Sequence, residues 1–271
     1  MAAEHVVERL HAQVSGSGER TIVFVHGFGC DRSIWRLVAP AFEARYRVVV
    51  FDQAGCGRAI PAWDASRHAS LQGYAQDLLD LLAALDLPPV VCVGHSVGSV
   101  VMALAAHQQP ERFEHLVHLA PSPRFLNDPP DYVGGFERED LDGMFRLMES
   151  NHFGWAALLA PMAMGETNPV ELVREFEGTL CTLEPRIARQ FARITFLVDV
   201  RAQMQQLQVP STLVQCMRDS IAPVAVGRWL QQHVPMSTLQ ELDIAGHCPH
   251  VSHPEMTIRL LEGVLRDGAR R

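Results

Sequence analysis

Val90-Val91-Cys92-Val93-Gly94-His95-Ser96-Val97-Gly98 is the stretch that decides the fold. Its first four residues are apolar and mostly β-branched, which reads as a buried strand. G-x-S-x-G follows, with Ser96 at its centre. Beyond it Val97, Val100, Val101 and Leu104 recur at helical spacing, until Pro110 stops the run. Strand, sharp turn and helix are the surroundings of a nucleophile elbow. Gly94 and Gly98 lack a Cβ, so strand and helix can crowd together while the turn holds Ser96 in a strained conformation. The helix N-terminus behind the serine offers unpaired N–H groups and a positive dipole end to an anion. A plain Gly/Ser turn would account for the pentapeptide alone, but not for the strand and helix that flank it.

Outward from the elbow the rhythm is of alternating strands and helices. His5 to Val14 reads as an N-terminal strand, and Gly16-Ser17-Gly18 as a turn. Thr21 to Val25 is a buried strand that ends in His26-Gly27-Phe28-Gly29, and Ser33 to Phe42 reads as helical around Trp35, Leu37 and Val38. Val48 to Phe51 is the next buried strand, ending at Asp52 and the loop Gly55-Cys56-Gly57. Leu71, Tyr74, Leu78, Leu81, Leu82 and Leu85 share one helical face, with Gln72, Gln76 and Asp80 opposite. Leu116 to Ala120 is a strand again. Such alternation predicts an α/β fold, a mostly parallel sheet covered by helices on both faces.

After Pro121 the rhythm changes. Residues 122–200 hold no convincing buried strand, and predict helices over Phe136 to Glu149, Phe153 to Met164, Pro169 to Thr179 and Pro185 to Asp199. This predicts a helical lid, inserted into a core made of residues 1–121 and 201–271. Thr212 to Cys216 resumes the sheet, Pro223 to His233 is a helix, Thr238 to Leu242 the last strand, and Pro254 to Arg266 a closing amphipathic helix. There are no repeats or low-complexity segments.

The 271 residues suffice for one large domain with an insertion. A net charge of −8 argues against nucleic acid or an anionic membrane surface as partner, since both need clustered positive charge. Met1 to Arg20 shows no apolar signal segment, and no apolar run approaches the ~20 residues of a membrane span. Six cysteines are scattered without a C-x-x-C, which fits a reduced, cytoplasmic protein. No cofactor motif is present: Gly55-Cys56-Gly57 lacks a third glycine, and no G-x-x-x-x-G-K-[ST] occurs.

A serine hydroxyl needs a base, and the base needs orienting by a carboxylate. In this arrangement of strands the chain order is Ser, acid, His. Asp219, just after the strand Thr212 to Cys216, and His247, just after the last strand, supply it. Both stand at the edge of the sheet that carries Ser96, where sites of open α/β sheets form. His250 and His253 compete with His247, and the three are spaced like metal ligands on a helix. Pro249 and Pro254 break that helix and no acidic ligands flank it, so no metal is expected. Asp199 and Asp243 compete with Asp219, the first within the insertion and the second still on its strand. Cys248 reads as an inert neighbour. The oxyanion donors expected are the backbone N–H groups of Val97 and of Phe28.

The whole chain resembles the α/β-hydrolase fold, and in particular the small subfamily of the bacterial stress-sigma-factor regulator RsbQ and the plant karrikin and strigolactone receptors. The resemblance rests on His26-Gly27-Phe28-Gly29-Cys30-Asp31, Gly94-His95-Ser96-Val97-Gly98, Ser122-Pro123-Arg124-Phe125-Leu126-Asn127-Asp128, Gly134-Gly135-Phe136-Glu137 and Gly246-His247-Cys248-Pro249-His250. It implies four lid helices over a buried apolar pocket, and a triad of Ser96, Asp219 and His247. It implies that Phe28, Val97, Phe125, Phe136, Met144, Trp155, Leu159, Phe196 and Ile221 line that pocket. Val97 is the bacterial form, since similar plant karrikin-type proteins carry histidine there, and Met162 to Asn168 also differs from the bacterial regulator. Two functions follow from different classes. One is a serine hydrolase for a small apolar ester or butenolide-like lactone. The other is a ligand receptor with slow or single-turnover hydrolysis and a protein partner, which in the bacterial relatives is a PAS-domain serine phosphatase. Dehalogenase and epoxide-hydrolase chemistry is disfavoured, because those relatives carry Asp where Ser96 stands.

Overall fold

Parallel strands need long returns, and a helix packed back over the sheet is the common one. The structure, a computed structural model, describes residues 2–268 and follows that plan. In chain order it runs α1 (Ala2–Arg9), β1 (Gln13–Ser15), β2 (Thr21–Val25), β3 (Arg47–Val50), α2 (Leu71–Ala84), β4 (Val90–His95), α3 (Val97–Gln108) and β5 (Phe113–Leu119). There follow α4 (Arg138–Ser150), α5 (His152–Met164), α6 (Val170–Cys181), α7 (Pro185–Phe196) and the short α8 (Arg201–Met204). The chain closes with β6 (Ser211–Arg218), α9 (Val224–His233), β7 (Ser237–Ala245), the short α10 (Pro249–Ser252) and α11 (Pro254–Gly268).

The strand order is β1-β3-β2-β4-β5-β6-β7. Only β1 runs antiparallel, against β3; the other pairs are parallel. β2 and β4 are fully buried, as their unbroken apolar runs require for strands covered on both faces. The chain steps outward from β2 to β3, then returns to place β4 on the other side of β2. The order therefore reverses between β2 and β4, and a crevice opens beyond their C-terminal ends. Ser96 and Phe28 both stand there.

Residues 122–200 leave the sheet and carry α4 to α7. Their faces explain their packing. In α4, Leu141, Phe145 and Met148 recur every three to four residues and are buried, each stabilising by ~1.5–3 kcal/mol. Glu137 and Asp140 close a reciprocal capping box at its start. α7 buries Ile187, Phe191 and Thr195, and Glu184 accepts from the Ile187 N–H at its start. The two ends of the segment meet where the Val200 N–H donates to the Pro123 carbonyl, 2.9 Å away. Arg124 pairs with Asp199 beside them.

Two local expectations are corrected. The strand expected over His5 to Val14 is a helix followed by only three strand residues, Gln13–Ser15. Leu10 follows Val7 by three residues and Val6 by four, a helical spacing that packing on α2 exploits. Leu10 is fully buried, and the Arg9 Nη2 reaches Asp77 on α2 at 3.0 Å. The helix expected over Ser33 to Phe42 is two 3-10 turns, Arg32–Trp35 and Ala39–Phe42. Pro40 has no N–H to continue a helix through. Trp35 and Val38 are buried as expected, whereas Leu37 is exposed.

Candidate active site

Ser96 sits between the end of β4 and the start of α3 with φ +53° and ψ −123°, a conformation that residues bearing a Cβ rarely adopt. The crowding behind it shows why glycine follows at 98: a Cβ there would stand 2.4 Å from the carbonyl oxygen of Val25. Backbone cannot yield as a side-chain tip can. Gly98→Ala is therefore expected to destabilise the protein by more than ~3 kcal/mol, although the same change in an open helix stabilises by up to ~1 kcal/mol. Urea unfolding of the variant measures this, and an unchanged midpoint would contradict the crowding.

The three residues chosen from sequence meet. Ser96 Oγ lies 2.7 Å from His247 Nε2, and His247 Nδ1 lies 2.7 Å from Asp219 Oδ2. Asp219 Oδ1 accepts from the N–H groups of Ile221 and Ala222, at 2.8 and 3.1 Å. An ionised carboxylate only accepts, so Nδ1 of His247 carries the ring proton and Nε2 is free to take the serine proton. All three side chains are buried to within a few per cent. They are arranged like a catalytic triad.

The competing residues are engaged elsewhere. Asp199 holds Arg124 and Arg201. Asp243 is an exposed partner of Arg218. His253 Nδ1 bonds the Ser252 hydroxyl. His250 is buried, its ring 4.5 Å from that of Trp35 and 4.4 Å from that of His95. No cluster of three or more metal-ligating side chains occurs among the described residues. Cys248 is buried, and burial first, then Cys30, Asp219 and Cys216, push its thiol well above the ordinary range. It lacks the thiolate that reactivity requires.

The loop after β2 is held from its root. His26 Nε2 accepts from the Gln53 N–H at 2.9 Å, and the Gln53 amide donates to the His26 carbonyl at 2.7 Å. Phe28 then projects among aromatic rings, with Trp155, Phe191 and Phe196 centred 5.9, 5.5 and 6.1 Å away. Phe125 and Phe136 extend the same cluster, 5.0 and 6.0 Å from Phe196.

A cavity of about 540 Å³ opens between α4 and α5. Of the residues expected around a pocket, Phe136, Met144, Trp155 and Leu159 line it, together with Gly135, Glu139, Asp140, Gly143, Leu158, Met162 and Ser220. Ser220 is the chain neighbour of Asp219, while Ser96, Asp219 and His247 do not themselves line the cavity. Phe28, Val97, Phe125, Phe196 and Ile221 are buried and do not line it; Phe28, Phe125 and Phe196 join the aromatic cluster beside it.

Sequence reasoning missed several neighbours. The His247 N–H donates to the Ala163 carbonyl at the end of α5, 2.7 Å away, and Asn168 bridges the carbonyls of Met164 and Ala245. The Met162 to Asn168 stretch thus grips the loop of His247. Tyr74 and Phe191 stack at 4.7 Å behind Phe28. Glu139 and Asp140 put negative charge at the mouth of the cavity. Only the apolar bias of residues 152–164 gave a signal for any of this.

A mostly parallel sheet with serine, histidine and aspartate joined at its C-terminal edge defines a serine hydrolase. The chain belongs to the α/β-hydrolase fold family, whose model matches residues 20–254. It is 42% identical over 260 residues to a probable esterase of Oryza sativa subsp. japonica, covering 94% of this chain and 96% of that protein. It is 36% identical over 259 residues to "Karrikin insensitive 2 receptor CA" of Petunia hybrida, covering 94% and 96%. Among solved structures, olei00960, a hydrolase from Oleispira antarctica, superposes with a TM-score of 0.96 at 38% identity, over 98% of each chain. This places the chain in the branch that the Ser122–Asp128 and Gly134–Glu137 motifs resemble. No helix among the described residues is long and apolar enough to cross a membrane.

Proposed function

We propose that the protein hydrolyses a small, apolar, uncharged ester or lactone in the cavity beneath α4 and α5. The observation that carries this is the unbroken relay of 2.7 Å contacts from Ser96 through His247 to Asp219. His247 Nε2 takes the Ser96 proton as Oγ attacks the carbonyl carbon. The oxyanion is held by the backbone N–H groups of Phe28 and Val97, each worth ~10²–10³ in kcat. His247 then gives the proton to the leaving oxygen, and water repeats the cycle on the acyl-enzyme. For a lactone the leaving alkoxide stays tethered to the acyl group. Residues 122–200 serve as the lid, with Phe28, Val97, Phe125, Phe136, Met144, Trp155, Leu159, Phe196 and Ile221 shaping the apolar surroundings. The six free cysteines fit a reducing compartment such as the cytoplasm.

Among the described residues no Lys or Arg lines the cavity, while Glu139 and Asp140 do. Short p-nitrophenyl esters should therefore turn over and p-nitrophenyl phosphate should not. Phosphate release above background that disappears in Ser96→Ala would count against this reading.

The receptor reading keeps a specific support besides the receptor-named relative. α5 is apolar all round, and Phe153 and Leu158 on its outer side are 67% and 50% exposed. A signalling partner such as a PAS-domain serine phosphatase, implied by the resemblance to the bacterial regulator, would bind when the ligand is present. Negligible turnover together with ligand-dependent partner binding favours this second reading, and fast turnover without it favours the first.

A further inference from the structure

His95 stands outside the relay, yet it touches the loop of His247 and the loop after β2. It immediately precedes Ser96, so its backbone belongs to the elbow. It is buried, and its Nε2 lies 2.9 Å from the carbonyl oxygen of His247. A carbonyl only accepts, so Nε2 carries the proton and donates. Nδ1 then holds a lone pair and faces the loop after β2, where a Cβ on Gly27 would stand 2.6 Å from it. That atom has no hydrogen-bond partner among the described residues. The His95 ring packs 5.0 Å from the ring of His247 and 4.4 Å from that of His250. The backbone of His247 is thus held on both sides. Its N–H is fixed by Ala163 in the insertion, and its carbonyl by His95 in the core.

We propose that His95 is a positioning residue for the reaction: its Nε2–H bond to the His247 carbonyl sets the imidazole at transfer distance from Ser96. This rests on the triad reading above. Asp219 fixes the tautomer and tilt of the His247 ring, but it does not fix how far the whole loop stands from the elbow. The bond from His95 does, because His95 and Ser96 are adjacent on one rigid strand end. A loop displaced by ~1 Å loses on the order of 10²-fold in rate. The arrangement also accounts for Gly27, since any side chain there would push the His95 ring off its bond.

The test compares His95→Gln with His95→Asn. The Gln amide nitrogen falls near the place of Nε2 and can donate to the His247 carbonyl, whereas the Asn amide falls near Nδ1 and cannot. Both are polar and similarly costly to bury, so a merely structural role would affect them alike. The readouts are melting temperature, kcat and KM on p-nitrophenyl acetate, and the rate at which a fluorophosphonate labels Ser96, followed by intact mass. His95→Gln is expected to keep kcat within ~10-fold of wild type. His95→Asn is expected to lose ~10²-fold in kcat at unchanged KM, with labelling slowed in parallel. Equal kcat and equal labelling in the two variants, with wild type labelled normally, would overturn the proposal alone. An unlabelled wild type would instead defeat the triad reading. If His95→Asn does not fold, ¹⁵N NMR of the wild-type histidine rings decides, with His95 identified by its absence in His95→Gln. A proton on Nε2 with Nδ1 bare supports the assignment, and a proton on Nδ1 overturns it.

Discussion

Ser96→Ala is expected to leave a folded protein and remove its hydrolysis. The side chain is buried, and its loss deletes one oxygen and one hydrogen bond to His247. Serine and alanine both carry a Cβ, so the strain at φ +53° is the same in each. No cavity, broken ion pair or new backbone clash arises, and the melting temperature should move by only a few degrees. The chemistry has no substitute, because Cys248 is buried with its thiol held protonated. kcat on p-nitrophenyl acetate should fall by ~10⁴–10⁶, leaving what the oxyanion hole and binding provide. Asp219→Asn should cost on the order of 10⁴, since an amide NH₂ facing Nδ1 favours the tautomer whose Nε2 cannot accept the serine proton. A folded Ser96→Ala protein with wild-type hydrolysis would sink the elbow reading.

The second large effect is on stability in mild acid. His118 and His250 are buried, and their titration is pushed down to about 3. Burial is the main cause for each, with His115 adding to it at His118, and His247 and Arg36 at His250. His95 is depressed in the same direction, by burial and then by His250 and His247. In the unfolded chain histidine titrates near ~6.5. Between that value and about 3 the unfolded state therefore binds protons that the folded state refuses. The stabilisation is complete above ~6.5 and is lost as pH falls below it, by about tenfold in the folding constant per pH unit for each histidine. Two such groups cost about 4 kcal/mol between pH 7.5 and 5, a large part of the ~5–15 kcal/mol of a typical domain. Urea unfolding at steps from pH 7.5 to 4.5 measures the slope. His250→Phe, which keeps a ring against Trp35 and His95, should flatten it by about one proton. An unchanged slope in that variant would mean that His250 is not refused its proton in the folded state.

The elbow could be read because its signal is local: a β-branched run, two glycines around Ser96 and a helical period lie within one stretch. Asp219 and His247 could be chosen because each ends an apolar strand, and the parallel sheet brings such ends to one edge. The four helices between residues 138 and 196 were legible for a similar reason, since apolar spacing in α4 and α7 reports their buried faces. What escaped involved contacts that leave no periodic trace. His5 to Val14 reads as a strand because five of its residues are apolar, and the helical spacing of Leu10 from Val6 and Val7 is too short to outweigh that before packing on α2 is known. The 3-10 turns after Asp31 follow from one proline and from the buried oxygens of Asp52, which accept from the N–H groups of Arg32 and Arg58. The bonds from His95 and Ala163 to the backbone of His247 use a ring nitrogen and main-chain atoms, whose pairing no residue type announces. The acidic rim formed by Glu139 and Asp140 exists only once α4 is laid beside α5.

Intact mass spectrometry after incubation with a panel of small esters and butenolides, followed by peptide mapping, tests the central claim most directly. The expected result is a single acyl-sized mass increase on the peptide that carries Ser96, present in wild type and absent in Ser96→Ala. An adduct that persists in Ser96→Ala, or that maps to Cys248, would contradict it.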